Sequence, residues 1–166
     1  WFEKTNGFTL GEEQALAVKG ALQKRIFIIT GGPGVGKTTI LNAILQILTP
    51  KHVVPVLCAP TGRAAKRLNE STGREASTLH RLLEFQPGGS FARNQEKRLE
   101  GDLFVVDEAS MIDIKLMASF LEAIPEKGHL ILVGDVDQLP SVGPGTVLRD
   151  LIDSGAIPVA RLTQIF

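Results

Sequence analysis

The sequence predicts an α/β fold, a parallel sheet with helices on both faces. Two observations predict it. Short apolar runs rich in β-branched residues alternate along the chain with stretches of helical periodicity. Consecutive strands separated by helices pair in parallel, with the helices covering both faces. The second observation is local. Ile26-Phe27-Ile28-Ile29 reads as a buried strand, and it runs into the glycine-rich stretch Gly31-Gly32-Pro33-Gly34-Val35-Gly36, which opens a helix-periodic segment. That order of strand, glycine turn and helix is one repeating unit of such a fold.

Bulk properties bound the rest. A chain of 166 residues suits one domain with a sizeable core. Apolar residues make up 43% and charged residues 22%, an ordinary globular balance that excludes intrinsic disorder. Net charge is zero, so any polyanion site must be a local patch. Cys58, the single cysteine, ends an apolar run and reads as a small buried hydrophobe. It excludes an internal disulfide and fits a reducing cytoplasm. No apolar stretch approaches membrane-spanning length, so no membrane partner is expected. The chain starts without Met or a signal-peptide pattern and ends without a polar tail; it reads as a piece of a longer protein. There is no internal repeat and no low-complexity segment.

Residues 1–8 carry no pattern. From Leu10 a helix is expected, with Glu12 and Glu13 in its first turn and a weak apolar face of Leu16, Ala17 and Leu22. Gln14 is either a solvated helix residue or a carboxamide able to read an adenine edge. Residues 39–48 carry apolar side chains at helical spacing, stopped by Pro50. Val53-Val54-Pro55-Val56-Leu57-Cys58 reads as the second strand, with Pro55 arguing for an imperfect or edge position. Residues 59–68 form a turn into a helix that puts Arg63, Lys66 and Arg67 on one face, a solvated basic face or a binding one.

Residues 77–83 read as a capped helical turn. His80 within it is a core histidine, a surface residue or a ligand contact; it has no metal-ligand partners at suitable spacing. In residues 85–98 the turn cluster Gln86-Pro87-Gly88-Gly89-Ser90 predicts a projecting β-hairpin, against the alternative of a plain surface loop. Between Thr61 and Arg98 lie eight basic residues and four acidic ones, a local excess hidden by the neutral total. Leu103-Phe104-Val105-Val106 is the third strand, and a short helix over 116–124 ends at Pro125. His129-Leu130-Ile131-Leu132-Val133 is the fourth strand. A helix over 146–153 stops at Gly155, and residues 157–162 supply the fifth strand.

The chemistry sits at the strand ends. Gly31-Gly32-Pro33-Gly34-Val35-Gly36-Lys37-Thr38 fits the phosphate-binding loop G-x-x-x-x-G-K-[S/T]. Its glycines let backbone N–H groups turn inward as an anion nest, and the helix N-terminus adds partial positive charge. Lys37 would supply charge to the outer phosphates, and Thr38 a hydroxyl for Mg²⁺. Asp107 and Glu108 follow the third strand, where both can face the phosphate crevice. Asp107 would hold Mg²⁺ through water, and Glu108 would act as general base on the attacking water. Gln138, just past the fourth strand, either touches the γ-phosphate or belongs to a polar turn.

Four stretches together resemble superfamily 1 DNA helicases of the RecD-like group. They are residues 31–39 (Walker A), 59–68 (motif Ia), Val105-Val106-Asp107-Glu108-Ala109-Ser110 (motif II) and Leu132-Val133-Gly134-Asp135-Val136-Asp137-Gln138-Leu139-Pro140 (motif III). Walker A is widely shared; the motif II and III phrases are far more specific. The likeness runs from Gln14 to the closing Leu162-Thr163-Gln164-Ile165-Phe166. It implies a RecA-like P-loop NTPase domain spanning 1–166, followed by a second RecA-like domain that this chain lacks. It implies ATP and Mg²⁺ as cofactors. Nucleotide contacts would come from Gln14 at the adenine and from Gly32, Pro33, Gly34, Val35, Gly36, Lys37, Thr38 and Thr39 at the phosphates. Thr38 and Asp107 would hold the metal, while Lys37, Glu108 and Gln138 would be catalytic. Pro60, Thr61, Arg63, Thr78 and His80 would lie along single-stranded DNA. The 85–98 hairpin would be the pin that splits duplex junctions, and the intact protein would move 5′ to 3′ in recombination or repair.

The rival classes are a P-loop kinase, an AAA-type ATPase and a non-catalytic nucleotide-binding module. A kinase needs a lid and an acceptor pocket that the sequence does not offer. Gly134-Asp135-x-x-Gln138 does not suit AAA proteins, and the intact set Lys37, Thr38, Asp107, Glu108 argues against loss of catalysis.

Overall fold

Alternate residues of the central strands bury into two different cores. Phe27, Ile29, Leu57, Val105, Ile131 and Val133 face one, while Ile28, Cys58, Phe104, Val106, Leu130 and Leu132 face the other. A sheet covered on both faces needs apolar residues at both phases of the pleat, which is why these strands read as continuous apolar runs. The computed structural model describes residues 2–7 and 9–165. Phe166, the last residue of the closing phrase, lies outside the described residues.

Among the described residues six strands pair in parallel throughout: β1 (Ile26–Gly31), β2 (Pro55–Ala59), β3 (Ala76–Thr78), β4 (Leu103–Val106), β5 (His129–Gly134) and β6 (Val159–Leu162). Their order across the sheet is β3-β2-β4-β5-β1-β6. The helices are α1 (Phe2–Asn6), α2 (Glu12–Gln23), α3 (Lys37–Leu48), α4 (Gly62–Thr72), α5 (Leu79–Leu82), α6 (Ile114–Ala123) and α7 (Val147–Asp153). Residues of α1 to α4 fill the first core, through Phe2, Ala17, Ile40, Ile44 and Leu68. Those of α5, α6 and α7 fill the second, through Leu79, Phe120 and Ile152. Phe104 on β4 and Phe120 on α6 meet edge-on with centroids 6.2 Å apart, joining sheet to helix.

The expected RecA-like α/β architecture is present, with three differences in detail. The sheet has a sixth strand, β3, where the sequence predicts only a capped helical turn. It is three residues long and polar, so its sequence carries no apolar alternation. Pro55 does not mark an edge. It is the first residue of β2, where it pairs with Leu103 of β4, and the β3 ladder begins only at Leu57. A missing N–H is tolerated at a strand start. In α2 the buried face is Gln14, Ala17, Val18 and Ala21, whereas Leu16 is exposed.

The 85–98 segment is a small antiparallel turn. One bridge joins Phe85 and Phe91, with flanking bonds from Ala92 N–H to the Glu84 carbonyl and from Arg93 N–H to the Leu83 carbonyl. Glu84 fastens its root: the carboxylate pairs with Arg93 at 2.7 Å and Lys97 at 3.3 Å, which holds its pKa below the usual value. The tip, residues 86–90, is exposed.

Candidate nucleotide site and adjoining basic face

All six strands run the same way, so every C-terminal end lies on one edge of the sheet. Ligands of open α/β sheets bind in the crevice at that edge. The loops leaving β1, β4 and β5, which are neighbours in the sheet, meet there around a cavity of about 500 Å³. Lys37 and Thr38, Asp107 and Glu108, and Gln138 all line it.

The phosphate loop has the expected backbone. Gly34 and Gly36 have φ of +80° and +82°, in the left-handed region that favours glycine. Gly36 is the residue before α3, so the loop delivers its N–H groups onto the helix N-terminus. Lys37 Nζ donates to the carbonyls of Gly31 and Gly32. The ammonium thus lies over the mouth of the nest that it would share with a phosphate. Val35 is buried and anchors the loop, Thr38 is exposed at its exit, and Thr39 follows in the first turn of α3. Gly32 is half-buried; Pro33 and Gly34 are exposed at the turn.

Gln14 is buried, against the solvated alternative. Its Oε1 accepts from Gly11 N–H at 3.0 Å, and its Nε2 donates to the Val35 carbonyl at 3.4 Å. One carboxamide therefore caps α2 and braces the phosphate loop. A Cβ added at Gly36 would collide with Gln14 Nε2. Gly36→Ala is accordingly expected to displace Gln14 and to cost about 1–2 kcal/mol for the left-handed backbone alone. Denaturant unfolding checks this: an unchanged midpoint would mean that Gln14 does not pack against the loop.

Asp107 follows directly on β4, with its N–H donating to the Cys58 carbonyl and its Oδ1 accepting from Glu108 N–H at 2.8 Å. Burial raises its pKa, the Glu108 N–H opposes that, the Glu108 charge adds to it, and Lys37 and Arg67 pull it down. A half-buried carboxylate of this kind is one that a cation would stabilise. Glu108 has φ +54°, a left-handed conformation uncommon for a non-glycine residue. This turn swings it out of the strand line into the same cavity as Asp107. The residues fit Mg²⁺. That ion takes one or two protein oxygens and leaves its other positions to water and phosphates, so Thr38 and Asp107 suffice without a closed cage. Among the described residues no cluster of three or more His, Cys, Asp or Glu forms such a cage.

Two lining residues escaped the sequence reading. Asp135 is a buried carboxylate at the end of β5, accepting from Asp137 N–H at 3.0 Å while its carbonyl accepts from Gln138 N–H. The signal was available, since Asp135 follows an apolar strand just as Asp107 does. Arg67 was read as part of the basic face of α4. Its Nη2 instead donates to Glu108 Oε1 at 3.0 Å. No sequence signal separates it from Lys66, whose ammonium stays outside near Glu70.

The residues assigned to DNA follow the ends of β2 and β3 in the chain. β2 and β3 are adjacent and in register, with Ala59 opposite Thr78. Pro60 and Thr61 leave β2 where Thr78 ends β3. Thr61 Oγ1 accepts from Ala64 N–H and starts α4; Thr78 Oγ1 accepts from Arg81 N–H and starts α5. Both hydroxyls therefore act as helix caps. Arg63 is exposed on the first turn of α4. His80 is exposed and packs edge-on against Phe85 with centroids 5.4 Å apart and against Phe91 at 5.7 Å, which ties it to the 85–98 turn.

A family model described as an AAA domain matches residues 14–144, which include Gly134-Asp135-x-x-Gln138, so the expectation that this phrase does not suit AAA proteins is corrected. The chain is 45% identical over 157 residues to an ATP-dependent RecD2 DNA helicase of Deinococcus radiodurans, covering 95% of this chain and 22% of that protein. It is 41% identical over 177 residues to the RecBCD enzyme subunit RecD of Mycolicibacterium smegmatis, covering 91% of this chain and 32% of that protein. The chain thus spans less than a third of the length of these relatives. Among solved structures, the Pif1 helicase from Candida albicans superposes with a TM-score of 0.75 at 25% identity, over 96% of this chain and 41% of that one. These relatives bear out the RecD-like resemblance that four sequence stretches implied.

Proposed function

Because the chain belongs to the AAA-domain family and resembles RecD-type proteins over nearly its whole length, we propose that it is the first RecA-like motor domain of a superfamily 1 DNA helicase. In this reading it binds Mg²⁺·ATP at the phosphate loop and hydrolyses it together with a second RecA-like domain of the same protein. Hydrolysis drives movement along single-stranded DNA and unwinding at duplex junctions, 5′ to 3′, in recombination or repair. The observation that carries the reading is the convergence of Lys37, Thr38, Asp107, Glu108 and Gln138 on one cavity. Thr61, just past β2, and Thr78, at the end of β3, meet at the neighbouring strand ends, with Arg63 following on α4 and His80 on α5.

The roles follow from position. Lys37 moves from the loop carbonyls to the β- and γ-phosphates. Thr38 and Asp107 would hold Mg²⁺, which would supply neutralising charge at the phosphate oxygens. Glu108 accepts the proton of the water that attacks the γ-phosphorus as the bond to ADP breaks, and Gln138 contacts the γ-phosphate. Gln14 keeps one N–H free of the two backbone bonds described above, and this N–H is available to an adenine acceptor. The α4 N-terminus and Arg63 meet DNA phosphates, and that helix runs back over the nucleotide cavity.

ATPase of the full-length protein with and without a single-stranded oligonucleotide tests the reading. Stimulation by DNA is expected; its absence would favour a P-loop ATPase or kinase of another class. Arg63→Ala is expected to weaken DNA binding equally for all sequences and to reduce the salt slope by about one. Unchanged affinity and slope in the Thr61→Ala/Arg63→Ala double variant would put the DNA elsewhere.

A further inference from the structure

Of the cations in the cavity, Arg67 has no part in the roles above. Arg67 lies one helical turn beyond Arg63 on α4, yet its guanidinium crosses to the carboxylate of Glu108. The contact is a single 3.0 Å bond from a side chain that remains 62% exposed. A pair so placed is weakly held, because water competes for both partners and the long arginine side chain has many alternative rotamers. Glu108 is the opposite case: it is only 20% exposed and is held by a left-handed turn of a 3₁₀ segment. When this pair separates, Arg67 is the partner that moves.

The electrostatics of the cavity say where it goes. The described lining carries four carboxylates, Glu70, Asp107, Glu108 and Asp135, against two cations, Lys37 and Arg67. A triphosphate adds concentrated negative charge to a space already rich in it. Its terminal phosphate would stand close to Glu108 if that carboxylate is to take the proton of the attacking water. The repulsion between them must be offset, and Lys37, once it has moved to the phosphates, is a single charge against four carboxylates. A guanidinium forms stronger, two-pronged bonds with phosphate oxygens than with one carboxylate oxygen.

We propose that Arg67 is a γ-phosphate sensor that holds the general base in reserve. Without a triphosphate it neutralises Glu108 and blocks the approach of water. With a triphosphate it exchanges Glu108 for the γ-phosphate oxygens. That exchange frees Glu108 to accept a proton and supplies from within this domain a positive charge on the transferring group. ADP has no γ-phosphate and leaves the Arg67–Glu108 pair intact. The inference rests on the nucleotide-site reading and adds to it a residue that discriminates ATP from ADP.

The test is a comparison of two affinities. Isothermal titration of the full-length protein with Mg²⁺·ADP and with a non-hydrolysable Mg²⁺·ATP analogue is run on the parent, Arg67→Ala and Arg67→Lys. Arg67→Ala is expected to weaken the analogue roughly tenfold, the scale of one charge-assisted hydrogen bond, while ADP stays within about twofold. Arg67→Lys should recover part of the loss, since it keeps the charge but not the two-pronged geometry. ADP binding reports that each variant is folded. Equal weakening of both nucleotides, or no change in either, would overturn the sensor. A parent protein that binds neither nucleotide would overturn the nucleotide site itself, a separate failure seen before any variant is compared.

Discussion

Glu108→Gln in the full-length protein is expected to keep Mg²⁺·ATP affinity and to lower turnover by roughly 10²–10⁴-fold, the usual contribution of a positioned general base. The substitution preserves shape and the oxygen that accepts from Arg67 at 3.0 Å, so the cavity wall stays in place. It removes the ability to take a proton from water. The left-handed turn at Glu108 strengthens the expectation. A φ of +54° at a glutamate costs free energy that a merely structural position would avoid with glycine or asparagine. Steady-state ATPase with oligonucleotide, set beside nucleotide titration, checks both halves. Parental turnover in this variant would remove Glu108 as the base.

Replacing residues 86–97 with a short Gly-Ser turn in the full-length protein is expected to abolish unwinding and to leave DNA-stimulated ATPase within a few-fold of the parent. The exposed tip stands on a root fastened by Glu84, Arg93, the Phe85–Phe91 bridge and the ring of His80. A wedge needs such a stiff base, because a floppy loop would yield to duplex rather than split it. The core anchors on either side, Leu83 and Leu99, are buried and lie outside the replacement. None of the replaced residues lines the nucleotide cavity, so ATP chemistry is separable from strand separation. A helicase assay on a tailed duplex, run beside ATPase, reads both. Unwinding at the parental rate would end the pin assignment.

The long elements of this fold were legible because burial on two faces leaves a strong mark. β1, β4 and β5 are central, so their apolar runs are continuous, and the phosphate loop carries its own chemistry between strand and helix. β3 was not legible. It is an edge strand of three residues, Ala-Ser-Thr, held by pairing with β2 rather than by its own hydrophobicity. Yet β3 brings Thr78 beside the end of β2, from which Pro60 and Thr61 leave, so the grouping of these candidate DNA residues depends on it.

The sequence by itself determined the α/β class, the nucleotide loop and the carboxylates that follow a buried strand. Each of these is a local pattern: apolar period, glycine spacing, or a charge at the end of an apolar run. Only the tertiary structure decided where polar side chains of equal local appearance point. Gln14 and Leu16 share a helix, yet the polar one is buried and the apolar one exposed, because the phosphate loop offers a carbonyl at Val35. Lys66 and Arg67 are neighbours of like charge, yet one stays in solvent and the other reaches Glu108, because α4 follows β2, which lies beside β4 in the sheet. A side chain's partner is set by which strands are adjacent. That adjacency is a long-range property of the sheet, and no local pattern of residues encodes it.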